Sequence, residues 1–241
     1  MKRFIIVISG LLILLAGCRK NGCFESSGPT ALSVRAATPF TQIDVYDNIS
    51  IVLKQDTAEG ITIEAGAHLL PYIKTVIANN VLTLRNNSGC SWLRGPTETV
   101  TAYISVKTLS RMNFHGSGNV SSVNTLTSPD ITLDAWEASS IVKLAIQSQT
   151  SNFVIRDENA AYIITGTTGY ASLYGGQKGT MRLQGLQAEG VYLDQRSIFD
   201  AFVWATVSLT VRVQYKGNVY YKGTPNITYD HYSDGRLIPL Q

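Results

Sequence analysis

The chain has 241 residues, of which 15% are charged, and a formal net charge of +3. Setting aside residues 1–17, which carry Lys2, Arg3 and no acid, leaves 18 basic against 17 acidic residues. That balance, with no run of like charge, excludes the clustered basic face that a nucleic-acid partner requires, and the remaining about 224 residues suffice for one large β domain or two small ones.

The first element is a leader. Lys2 and Arg3 precede an apolar run from Phe4 to Leu15. This is the charge and hydropathy pattern of a secretory signal, and it falls short of the ~20 residues that span a bilayer. Leu15-Ala16-Gly17-Cys18 resembles a bacterial lipobox. The resemblance implies that Cys18 receives a diacylglycerol and becomes the mature N-terminus. The expected partner is therefore the membrane, through an N-terminal lipid. Arg19 stands where some lipoproteins carry an aspartate for inner-membrane retention, so an outer-membrane lipoprotein is expected.

Cys23 and Cys90 remain. Export permits a disulfide between them. Closing a loop of this length would contribute on the order of 4 kcal/mol in the chain-entropy model. Two free thiols are the alternative. Residues 19–36 are small and polar, with Gly22, Ser26, Ser27, Gly28 and Pro29. They read as a tether. The expected organisation is a signal peptide over 1–17, a lipidated tether over 18–36 and one β domain over 37–241.

From residue 38 the pattern is strand after strand. Thr41–Tyr46, Ile49–Leu53, Ile61–Ala65, Val81–Leu84 and Val100–Val106 alternate apolar and polar residues, as half-buried strands do. A short helical stretch is expected near His68–Lys74, limited by Pro71. Five strand–turn–strand segments follow: Ile131–Ile146, Asn152–Gly166, Tyr170–Gly185, Gly190–Ala205 and Ser208–Gly223. Their starts are separated by 18 to 21 residues. A fixed period near 20 predicts an all-β solenoid, a β-helix-like stack of short two-strand coils. A single coil cannot bury both flanks, whereas a stack can. An antiparallel sandwich with hairpins of similar length is the alternative.

The order of these features resembles the head GIN domain, an autotransporter-adhesin-type domain of exported Bacteroidetes proteins. The matching residues are Pro39–Gln55, Glu64–Leu70, Leu82–Asn86, His115–Val120, Lys216–Gly223 and Gly235–Pro239. The resemblance implies an all-β, β-helix-like domain on an envelope lipoprotein and leaves the ligand open.

The candidate chemistry is sparse. His68, His115 and His231 lack metal-ligand spacing. No metal, cofactor or catalytic residue is assigned. Gly116-Ser-Gly-Asn119 reads as a tight turn, because a strand and not a helix follows it. Glu137, Asp157, Glu158 and Asp194 fall at or near central turns, where stacking could bring acids together. Tyr162, Tyr170, Tyr174, Tyr192, Tyr220 and Tyr221 recur with Trp136 and Trp204. Exposed, they would suit stacking on sugars or a protein interface, and buried, they would fill a core. The expected function is a non-catalytic binding or adhesion module for a glycan or protein ligand. A carbohydrate-active enzyme and a structural protein self-associating into a homo-oligomer are the alternatives. Converging carboxylates would favour the enzyme, and an exposed apolar edge would favour self-association.

Overall fold

The computed structural model describes residues 26–89, 99–156 and 159–240. Cys18, Cys23 and Cys90, and with them the leader, the lipid and the disulfide expected from sequence, lie outside the described residues, as do Asp157 and Glu158. The strands are β1 (Thr30–Arg35), β2 (Gln42–Asp47), β3 (Ile49–Gln55), β4 (Gly60–Gly66), β5 (Ile73–Ala78), β6 (Val81–Asn86), β7 (Val100–Val106), β8 (Arg111–Gly116), β9 (Val120–Ser122) and β10 (Leu126–Ala135). The longer β11 (Ile141–Ile155), β12 (Ala161–Gly175), β13 (Thr180–Gln195) and β14 (Ala201–Val213) follow, then β15 (Val219–Lys222), β16 (Asn226–His231) and β17 (Leu237–Pro239). The helical stretch expected near Pro71 is one 3-10 turn, Leu70–Tyr72.

The long strands show how a coil closes. In β11 the buried residues are Val142, Leu144 and Ile146, then Ser151, Phe153 and Ile155. Inward residues alternate along a strand, so this change from even to odd numbers marks a corner between Ile146 and Ser151. Both legs then face one core. Each coil is a front leg, a turn, a back leg and a corner. The corners stack in register too, so the ladder continues through them: Gln147 pairs with Thr167, and Thr167 with Gln187. The segments predicted from sequence therefore correspond to coils, but the breaks expected between them are bends within continuous strands.

Two columns of apolar residues hold the stack together. On the front wall Leu82, Ile43, Met112, Leu133, Phe153, Leu173, Leu193 and Val211 are successive register partners. On the back wall the run is Ile63, Ala102, Ile51, Val120, Val142, Tyr162, Met181, Ala201 and Val219. All of them are buried. From β8 to β17 every pairing between coils is parallel, as a solenoid requires and a hairpin sandwich does not allow.

The N-terminal end departs from chain order. The coil β2–β3 lies between β6–β7 on one side and β8–β9 on the other. Beyond it the stack is closed by antiparallel pairs, β4 with β7, β1 with β4, and β5 with β6. Residues 30–35, within the stretch expected as a tether, thus form an edge strand of the domain.

The Gly116–Asn119 turn is the tight turn expected, and its glycines are required by a close approach. A Cβ on Gly116 would lie 1.8 Å from the Asp47 carbonyl oxygen, and one on Gly118 would lie 1.8 Å from that of Ile49. The Ser117 amide donates to the Asp47 oxygen at 2.9 Å. Here glycine lets one turn rest directly on the turn of the neighbouring coil.

Candidate functional site

The residues singled out in the sequence scatter over the stack. His68 lies just before the 3-10 turn, with Nδ1 2.9 Å from the Ser26 carbonyl oxygen. His115 is the penultimate residue of β8, and His231 ends β16 at the far end of the stack. Among the described residues no cluster of three His, Cys, Asp or Glu side chains could hold a metal. Glu137 occupies a positive-φ turn position (54°) after β10. Asp194, coils away, accepts hydrogen bonds from Arg196 Nη2 at 3.0 Å and Gln214 Nε2 at 2.7 Å. The hydrogen bond from Arg196 holds that guanidinium's pKa above its ordinary value. Asp194 is thus paired with a cation two residues along the chain and with an amide from the next coil.

The aromatic set divides. Tyr162 is wholly buried in the back-wall column and donates from its hydroxyl to the Val154 carbonyl at 3.0 Å. Burial pushes its pKa well above the tyrosine range, and the nearby Asp134 charge adds to this. Tyr221 packs against the core. Tyr220 stacks on Phe202 with centroids 5.0 Å apart, and Lys222 sits 3.8 Å from the Trp204 ring centre. Of the residues expected to form a surface, these two sit on the outer back wall. Trp136, Tyr170, Tyr174 and Tyr192 sit on the outer front wall.

The front wall carries a row that sequence reading missed. Arg85 lies 3.7 Å from the Tyr46 ring centre, and Tyr46 stacks on His115 at 4.7 Å and 10°. His115 meets Trp136 at 5.9 Å, and Arg156 lies 5.9 Å from the indole's ring centre. Arg156 also grips Asp134 with two hydrogen bonds, 3.1 and 2.7 Å. The row crosses five neighbouring segments: Arg85, Tyr46 and His115 lie in β6, β2 and β8, and Trp136 and Arg156 directly follow β10 and β11. Cation–π and ring–ring contacts order these side chains before any partner arrives. Within the row Trp136 is 55% exposed. No local pattern signals this row, because Tyr46 and His115 meet through the β2–β8 register, 69 residues apart in the chain.

A second feature sits at the corners. A groove of about 300 Å³ is lined by Gln147, Thr167, Gly169, Gln187, Glu189 and Thr206, with Ser148 and Thr168 beneath. The Ser148 and Ser151 hydroxyls lie 2.8 Å apart, and each donates to Thr168 Oγ1, at 2.9 and 3.2 Å. Beside the groove Tyr170 pairs with Gly190, and its Cδ2 would lie 2.8 Å from a Cβ placed there. The ring therefore rests over the bare backbone of Gly190, and Tyr170 is 45% exposed. A wider groove of about 440 Å³ crosses the outer back wall near Thr101, Tyr103, Ser121 and Lys143. There the Tyr103 hydroxyl donates to Glu64 at 2.8 Å, and that bond raises the tyrosine's pKa.

The fold defines the class: a two-walled β-solenoid whose first coil lies inside the stack, with aromatic rows and grooves on its outer surfaces. The chain belongs to the family described as "Putative auto-transporter adhesin, head GIN domain", whose model matches residues 39–225. Among solved structures it is similar to a "putative adhesin" from Bacteroides fragilis, with a TM-score of 0.78 and 20% identity over 88% of this chain and 97% of that one. It is also similar to a "putative adhesin" from Parabacteroides distasonis, with a TM-score of 0.64 and 15% identity over 88% and 98% of the two chains. A "putative lipid binding protein" from the same organism has a TM-score of 0.64 and 15% identity, covering 90% and 98%. At these identities the likeness is one of fold. No curated protein matches the chain.

Proposed function

We propose that the chain is a non-catalytic binding or adhesion module of the cell envelope, held at the outer membrane by a lipid on Cys18. The leader and the Leu15–Cys18 motif support the anchoring. The single observation that carries the binding role is the pre-ordered row of Arg85, Tyr46, His115, Trp136 and Arg156. Trp, Tyr and Arg are the side chains that most often dominate binding energy. A row already held by its own contacts loses little conformational freedom on docking. The family description supports the same reading.

The test is an array of host proteins and glycans probed with the chain carrying Cys18→Ser. Cys18→Ser should shift the protein from the membrane fraction to the soluble one. Trp136→Ala should weaken capture of an arrayed protein by about 1–2 kcal/mol. Protein capture unchanged by Trp136→Ala, or turnover of an arrayed polysaccharide, would overturn the reading.

Self-association has one observation in its favour. The edge strand β1 exposes Leu32 at 66% and Val34 at 81%, and no charged residue precedes Arg35 in it to blunt the edge. Light scattering over a concentration series decides this second reading. A constant monomer mass rejects it.

A further inference from the structure

We propose that the corner groove beside Tyr170 is a binding site for the terminal unit of an uncharged glycan. This deepens the binding reading above and rests on it.

The first argument is a ladder of exposed polar groups, which water satisfies in the free protein and a ligand would take over. The side chains of Gln147, Thr167, Gln187 and Glu189 make no hydrogen bond to other described residues, although all four line one groove. Gln147, Thr167 and Gln187 are successive register partners, so amide, hydroxyl and amide recur at the strand spacing of about 4.8 Å. That is a regular set of donors and acceptors without partners of their own, matched to a ligand rich in hydroxyls.

The second argument is shape. Gly169 leaves the floor without a side chain, and a Cβ there would come within 2.8 Å of the Gln149 carbonyl oxygen. Gly190 leaves the neighbouring coil bare, and the Tyr170 ring lies over it. Gly169 and Glu189, which line the groove, directly precede Tyr170 and Gly190 in the chain. Tyr170 Cδ2 and Cε2 thus lie against the bare backbone of Gly190 at the groove's rim, and the residue is left 45% exposed. An aromatic platform beside convergent polar groups suits the apolar face of a sugar ring together with its equatorial hydroxyls. This differs from the Tyr46–His115 pair, whose ring faces already cover each other.

The third argument is charge. The lining carries one carboxylate, Glu189, and no cation. A sialylated, uronic or sulfated sugar would meet like charge without a counter-ion. The volume, about 300 Å³, lies at the low end for small-molecule sites and suits a chain terminus more than a long segment.

The experiment uses the full chain in detergent on an array of neutral hexose and N-acetylhexosamine oligosaccharides with their sialylated and sulfated counterparts. The expected result is capture of neutral glycans only. Tyr170→Ala should weaken that capture by roughly tenfold, the loss of a modest anchor. Gly190→Ala, whose Cβ would displace the ring and not the backbone, should weaken it similarly. Tyr170→Phe and Trp136→Ala should leave it within about twofold. Neutral-glycan capture untouched by Tyr170→Ala and Gly190→Ala, or selective capture of acidic glycans, overturns the groove. Capture of arrayed proteins through Trp136 with no glycan bound overturns the groove and leaves the binding module standing. No capture of any arrayed ligand overturns both.

Discussion

Tyr162 illustrates how little a residue's type decides by itself. Its segment, Ala161-Tyr-Ile-Ile164, is apolar at both parities, so alternation does not say whether Tyr162 or Ile163 faces inward. Packing decides, and the phenol fills the back-wall column between Val142 and Met181. Removing its hydroxyl with Tyr162→Phe should cost about 1 kcal/mol, because the Val154 carbonyl loses its donor. The same residue predicts a pH effect. Burial, and then the Asp134 charge, raise its folded pKa, so the fold favours the neutral phenol. That contribution is fully present below the unfolded tyrosine pKa of about 10 and is lost as pH rises beyond it. Melting temperatures between about pH 8 and pH 11 should fall less steeply for Tyr162→Phe than for the parent. Identical slopes would show that the buried phenol is not the group responsible.

Among the elements, the turns show most directly how one coil constrains the next. Sequence identifies Gly116–Asn119 as a turn from its glycines and the strand that follows. It does not show that the Asp47–Asn48 turn, far upstream, lies against it. Gly116→Ala would drive a Cβ to within 1.8 Å of a backbone oxygen, which cannot rotate away as a side chain could. Overpacking of this kind should cost about 2–3 kcal/mol. Urea denaturation should show a lower midpoint with an unchanged slope. Gly89→Ala, with nothing within 4 Å of the new methyl, is the comparison and should be close to neutral. Equal effects of the two substitutions would mean that the turns do not touch as described. The corners follow a similar logic. Residues 167–169 look like a break in sequence because they are polar and contain glycine. In the stack they stay within β12, since the corners above and below supply their backbone partners.

For the whole molecule, a stack in which each coil contacts its neighbours has unequal stability along its length. The β11, β12 and β13 coils are flanked on both sides, whereas all six residues of β16 are exposed and, among the described residues, β16 pairs with β14 alone. Native-state hydrogen exchange should therefore show the greatest amide protection in β11–β13 and the least in β16 and β17. Uniform protection along the chain would indicate that the stack opens only as a unit.

The repeat of 18 to 21 residues, the alternation within strands and the glycine turns are local properties, and sequence by itself determined from them that the chain is an all-β stack of two-leg coils. The leader and the Leu15–Cys18 motif are local as well. The tertiary structure alone decided the placement of β2–β3 between β6–β7 and β8–β9, since that order depends on which edges pair across 69 residues and not on any neighbouring pattern. From that pairing come the Tyr46–His115 contact and the front-wall row built around it. The corner groove has the same origin. Gln147, Thr167 and Gln187 are ordinary polar residues 20 apart, and only the register of stacked corners turns them into one surface.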